Sequence, residues 1–347
     1  MSFLNKLKFS LKRPKVIVVC GEGKKTAKEA ILKVLEKKFK VGKEILVFET
    51  KNNKIKNFEF FLKNSTFPIL VVTHVGEIHP DEIVFAGERE KVRDIIEVAR
   101  RLPPLTRLIL NYDDETTREI DDLTNLHTFT FGLDEKADFF ATNIKINRGT
   151  NFKVSFEGSL VPFWLEGTFG KEQIYAALSA TAVGKILGLN LVEISQNLKD
   201  YKSLPGKMRL IEGIKESFIL DDSESATVSS MIEAIEILGK IPHFWRKIAV
   251  LGDIVGIGKY TIEAHETIGE KVFENADLLF TFGPRAKFIA KGAFEKGMEE
   301  EKIFSFDKIE DGISKLKETI RKGDLVLVDG SKEVEMSRVV DEIRKIW

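Results

Sequence analysis

Apolar and polar positions along this chain follow two rhythms. Short apolar runs at Val16–Val19, Ile45–Phe48, Ile69–Val72, Leu108–Leu110, Phe218–Leu220, Ile248–Leu251, Leu278–Phe282 and Leu325–Val328 read as strands buried on both faces. Helically spaced stretches lie between many of them, which predicts α/β layers built on mainly parallel sheets. From 127 to 169 the rhythm changes. TFTF at 128–131, TNIKIN at 142–147, FKVSF at 152–156 and VPFWL at 161–165 alternate as antiparallel strands of a half-exposed sheet do, a β excursion on the first α/β unit. A long helix is expected over 171–187, with Gly188 as its C-cap. The LPGK stretch at 204–207 reads as a hinge, and a second alternating unit starts at 218. The expected organisation is a basic amphipathic segment over 1–14, a central α/β domain over 15–205 and a Rossmann-like α/β domain over 206–347.

Composition narrows this picture. A chain of 347 residues, 43% hydrophobic and 31% charged, suits a soluble protein of two domains. Its 54 basic and 54 acidic residues balance, so no overall field favours nucleic acid as a partner. Cys20 is the single cysteine, which excludes an internal disulfide and a cysteine-rich zinc site and makes a cytoplasmic protein the default. The N-terminus departs from the balance: Lys6, Lys8, Lys12, Arg13 and Lys15 interleave with Phe3, Leu4, Leu7, Phe9 and Leu11. Such a segment suits either peripheral contact with an anionic membrane or packing as an N-terminal helix, and it is too short and charged to be a signal peptide or a span.

The densest chemistry lies at 14–29. An apolar strand runs through Gly21 and Gly23 into a lysine-rich helix expected over 26–39, as a phosphate-binding loop does. The glycines let the backbone approach a polyanion, and Lys24 is placed to reach its phosphates. The loop is shorter than G-x-x-x-x-G-K-[ST], and Lys25 stands where a magnesium-binding hydroxyl belongs, with Thr26 one residue late. A plain strand-to-helix turn with a solvated first turn remains the alternative.

Further motifs bear on that choice. LPGKMR at 204–209, DDSESATVSSM at 221–231, VLGDIVGIG at 250–258 followed by His265, and GDLVLVDGSK at 323–332 followed by Met336 resemble, in order, four motifs of the Mur ligase family, most closely the cell-wall branch that adds D-alanyl-D-alanine. In the first half, GKKTAKE at 23–29 is similar to the family's phosphate loop GKTTTKE, and THVGEIHPDE at 73–82 to its N-x-x-x-x-H-L-D segment. Asn111 and Asp113 are similar to its N-x-D, and GKEQIYAALSA at 170–180 to its G-x-H-N-x-x-N-A-L-A-A.

The resemblance implies ATP-dependent amide-bond formation on a carboxylate-bearing cell-wall precursor through an acyl phosphate, with ATP and Mg²⁺ as cofactors. Lys24 and His79 would be catalytic. Gly21, Gly23, Lys24, Lys25, Thr26, Gln173, Lys207, Arg209 and Asp222 would bind the nucleotide, the last three after domain closure. Thr26, Glu49 and His79 would organise the metal. The departures are equally specific. Glu172, Gln173 and Ala176 replace His, Asn and Asn; Glu224, Ser225 and Thr227 replace Tyr, Asn and Asn; Asp329 replaces a lysine. Arg93 or Ile95 stands where the family's carbamylated lysine is expected. The family's uridine-binding domain has no counterpart in front of the loop, which admits a lipid-linked precursor at the inner membrane face. A degenerate binding protein or scaffold is the competing expectation.

Overall fold

The computed structural model describes residue 9 and residues 11–50, 55–75, 92–224 and 226–345. The chain divides into two compact units, one formed by 1–145, 151–165 and 171–201, the other by 146–150, 166–170 and 202–347.

The first unit is built on an eight-stranded sheet in the order β2-β1-β3-β4-β5-β6-β7-β8. These strands are β1 (Lys15–Cys20), β2 (Ile45–Glu49), β3 (Pro68–Val72), β4 (Arg107–Asn111), β5 (His127–Gly132), β6 (Phe139–Ile146), β7 (Gly149–Phe156) and β8 (Ser159–Glu166). β1 to β5 are parallel, and Val16, Ile17, Val18 and Val19 of β1 are fully buried. Each such side chain contributes about 1.5–3 kcal/mol. Helix α1 (Lys24–Leu35) buries Ala27, Ala30, Ile31, Val34 and Leu35 at helical spacing. Among the other helices, α2 (Glu59–Lys63), α3 (Val92–Ala99) and α4 (Glu115–Asp122) precede α5 (Lys171–Ile186) and α6 (Leu191–Leu198). α5 is buried almost all round and lies close to α1: a Cβ on Gly184 would stand 2.8 Å from Val34 Cγ1. Gly188 ends this helix with φ +85°, and the Leu189 N–H donates to Gly184 O at 3.0 Å, which satisfies a terminal carbonyl.

The run at 128–131 corrects an expectation. It lies in β5, which is parallel to β4 in register 107 to 127 and parallel to the start of β6 at Phe131↔Phe139 and Gly132↔Phe140. α4 supplies the crossover that a parallel strand needs, and alternation arises because Phe129 and Phe131 pack inward while Thr128 and Thr130 are only half-buried. The antiparallel excursion therefore starts at β6. β7 and β8 are joined by the two residues Glu157 and Gly158, both at positive φ, as a tight hairpin requires.

The second unit has a sheet in the order β13-β12-β11-β14-β10-β9. Its strands are β9 (Arg209–Glu212), β10 (Phe218–Asp222), β11 (Arg246–Gly252), β12 (Leu278–Phe282), β13 (Ile303–Phe306) and β14 (Asp324–Asp329), all parallel except β9. α7 (Val228–Lys240), α8 (Thr261–Asn275) and α9 (Lys287–Lys296) share a core with Leu220, Ala249, Leu251, Leu325 and Leu327. α10 (Ile309–Thr319) and α11 (Ser337–Ile343) share one with Ile219, Ile248, Val250, Val326 and Val328. Successive strand residues thus enter opposite layers, which is why these runs are continuously apolar. Residues 166–170 extend the β9 edge: the Leu210 N–H donates to Gly167 O at 2.9 Å and the Phe169 N–H to Met208 O at 3.1 Å.

Most of the basic segment 1–14 lies outside the described residues. Phe9 is buried, with its ring 5.0 Å from Phe61 and 6.0 Å from Phe60. Among the described residues no helix is long and apolar enough to cross a membrane.

Candidate active site

β1 delivers the chain into a tight loop at its carboxyl end. Gly21 has φ +97°, and a Cβ there would stand 2.7 Å from both His74 O and Thr73 Oγ1, so only glycine fits. Gly23, at φ +71°, is the residue before α1, and its carbonyl accepts the first helical bond from the Ala27 N–H at 2.9 Å. The loop is clamped to the exit of β3. The Glu22 N–H donates to His74 O at 2.6 Å, while Thr73 donates its hydroxyl to Cys20 O and Glu22 O. Lys24 and Lys25 open α1, whose first turn carries no acidic residue, so the amide end of the helix and two ammonium groups gather positive charge there.

One carboxylate enters that region from elsewhere in the chain. Thr26 is fully buried, and its hydroxyl donates to Glu172 Oε1 from the first turn of α5. Glu172 Cγ lies 3.3 Å from where a Gly23 Cβ would be. Beside it Gln173 is buried, with its Oε1 accepting from the Tyr201 hydroxyl at 2.9 Å. The Tyr201 phenol is pushed well above its ordinary range by burial, and further by the Glu172 and Glu29 carboxylates. Glu49, at the end of β2, lies 3.5 Å from the Lys28 ammonium. His79 lies outside the described residues.

Two groups at this edge were not singled out from sequence. His74 Nδ1 is 3.1 Å from Asp114 Oδ2, and that oxygen also accepts the Val75 N–H at 2.6 Å. Their signal is positional, since both follow the carboxyl ends of parallel strands, where α/β sheets hold ligands. Asp113, by contrast, is committed to structure: its carboxylate accepts the Leu133 and Asp134 N–H groups at 2.6 and 3.1 Å and the Tyr175 hydroxyl at 2.9 Å.

In the second unit the polar residues gather at the ends of β10 and β14. Asp221 accepts the Gly206 N–H at 2.8 Å and the Ser223 hydroxyl at 2.7 Å, and Asp222 accepts the Met208 N–H at 3.1 Å. The 204–208 turn is therefore pinned to β10. Asp222 is in register with Asp329, which is fully buried and, among the described residues, has no well-formed hydrogen bond to either carboxylate oxygen. Burial, and then the neighbouring Asp222 charge, push the Asp329 carboxyl well above the usual range, while the backbone N–H of Gly330 and then the Lys207 charge pull it back in part. Arg209 lines a cavity of about 770 Å³ with Gly206, Asp221, Ser223 and Arg344. His265 is a structural pin. Its Nε2 accepts the Ile254 N–H at 3.2 Å, its Nδ1 lies 2.6 Å from Thr261 O, and burial lowers its pKa. Asp253 accepts the Arg285 and Ala286 N–H groups at 2.9 and 2.6 Å.

Residues 206–332 match a family model described as Mur ligase, glutamate ligase domain. Over that stretch the chain carries a Mur ligase domain. The UDP-N-acetylmuramoyl-tripeptide–D-alanyl-D-alanine ligase of Bacillus subtilis is 24% identical to it, over 95% of this chain and 76% of that protein. Among solved structures, MurF from Acinetobacter baumannii superposes with a TM-score of 0.81 at 21% identity, covering 97% of this chain and 78% of that one. The MurF ligase from Thermotoga maritima in complex with ADP does so at 0.77 and 22% identity, covering 98% and 81%. The Mur ligase fold thus extends along nearly the whole chain, in agreement with the α/β architecture expected from the apolar runs. Against the family motifs, the Thr26–Glu172 contact falls where a histidine is usual and the Asp222–Asp329 pair where a lysine is usual. Arg93 carries a guanidinium and Ile95 a hydrocarbon, so neither offers an amine for a carbamate.

Proposed function

We propose that this chain is a cytoplasmic ATP-dependent carbon–nitrogen ligase acting on a carboxylate of a peptidoglycan precursor. The observation that carries the reading is the loop at Gly21–Thr26, with two glycines at positive φ leading into the amide end of a twelve-residue helix that starts on Lys24. Lys24 and the loop amides hold and neutralise nucleotide phosphates. Magnesium takes hard oxygen ligands, and the buried Thr26 hydroxyl with the Glu172 carboxylate at its side offers that chemistry, with Glu49 on the neighbouring strand as a further oxygen donor. When bound, Mg-ATP supplies the phosphoryl group that activates the carboxylate, and an amine then displaces phosphate to form the C–N bond. The chain's own part is to position and to offset charge.

The test is calorimetry with Mg-ATP on the intact protein and on Lys24→Ala. Loss of one charge-assisted phosphate contact is expected to weaken binding by about 10–100-fold. Equal binding by both proteins, or none by either, refutes the reading. A second reading, a nucleotide- or precursor-binding protein without turnover, is favoured by one observation, the buried Asp329 in place of the motif's lysine. Phosphate release on adding a muramyl tripeptide and D-alanyl-D-alanine decides between the two.

A further inference from the structure

We propose that Glu172 makes nucleotide affinity at the phosphate loop conditional on a divalent cation, by competing with phosphate when the cation is absent and ligating the cation when it is present. This rests on the nucleotide-binding reading of the loop above. Glu172 is brought to the loop across 146 residues of sequence, from the first turn of α5, and its side chain packs over Gly23, the residue just before α1. A carboxylate at the amide end of a helix sits where a phosphate oxygen would sit, so without a counter-ion the two anions exclude one another.

The Thr26 contact sets what happens when a divalent cation arrives. A hydroxyl has one proton and two lone pairs. The Thr26 proton goes to Glu172 Oε1, so what this oxygen can offer a further partner is a lone pair, as a cation requires. The second carboxylate oxygen would add a hard ligand for the same ion, whose charge would offset the repulsion between Glu172 and a phosphate. The charge that repels a bare nucleotide thereby becomes part of the site for a metal–nucleotide complex. The glutamate stands where the family motif carries histidine, a side chain that supplies no such negative charge.

The experiment is calorimetric titration of the intact protein with ADP, once in excess Mg²⁺ and once in EDTA, on the wild type, Glu172→Gln and Glu172→His. The wild type is expected to bind at least about 100-fold more tightly with Mg²⁺, and both variants no more than about 10-fold, because Mg²⁺-free affinity rises as Mg²⁺-dependent affinity falls. A ratio unchanged by either substitution overturns the role given to Glu172 while leaving nucleotide binding intact. Absence of ADP binding by all three proteins in both conditions overturns the nucleotide reading itself. Thermal melting identifies any variant that has not folded, and the other variant then decides.

Discussion

Each unit holds one carboxylate at an unusual place, and the two are treated in opposite ways. Glu172 meets a hydroxyl donor beside the amide end of a helix, whereas Asp329 is fully buried beside another aspartate with no well-formed hydrogen bond to either oxygen among the described residues. The first arrangement suits an ionised group. The second keeps a carboxyl protonated, or else costs the fold free energy whenever it ionises. The same chemical group therefore serves as working charge in one unit and as a burden in the other.

The largest expected effect breaks the first arrangement. Gly21→Ala forces a Cβ to within 2.7 Å of His74 O and Thr73 Oγ1 at a positive φ. A loss of about 3 kcal/mol in chemical denaturation is expected, with nucleotide binding abolished. Asp329→Asn probes the second arrangement. A carboxyl with a folded-state pKa above its unfolded value contributes stability that is fully present below the unfolded pKa and lost as pH rises through the folded one. The wild type should therefore lose stability as pH rises above the ordinary carboxylate range toward the folded-state pKa. The variant should lack that slope, read as a Tm that falls less with rising pH than the wild type's. An unchanged pH slope would show that Asp329 is not the group responsible. The smallest effect sharpens the picture around the loop. Glu49→Gln removes a partly exposed ion pair with Lys28, so stability should change by less than about 0.5 kcal/mol. Mg-ATP affinity should nevertheless fall if Glu49 reaches the metal, and an unchanged affinity would leave it only the ion pair.

What could be read from the chain in advance was local. Runs such as Ile248–Leu251 announce strands because each residue enters a layer, and the glycines of 21–23 announce a loop because positive φ is a property of single residues. β5 carries an antiparallel-looking period because half-burial on one face mimics it, while its true partners are set by register with residues 107–111. The Thr26–Glu172 and His74–Asp114 contacts were invisible because they join residues 146 and 40 positions apart that share only a sheet edge or a helix end. A substitution in a motif indicated that Glu172 is unusual. Only the fold showed what it touches.

The allocation of residues 146–150 and 166–170 to the second unit means that the polypeptide passes from one compact body to the other five times. Neither body is a contiguous piece of gene. A fragment beginning at 206 would carry the segment matched by the family model yet lack the neighbours that bond to Leu210 and Met208, leaving β9 a raw edge open to other chains. Cut-and-paste recombination at the 204–207 stretch would thus deliver a sticky fragment, and tandem inheritance of both halves is the arrangement that this weave enforces.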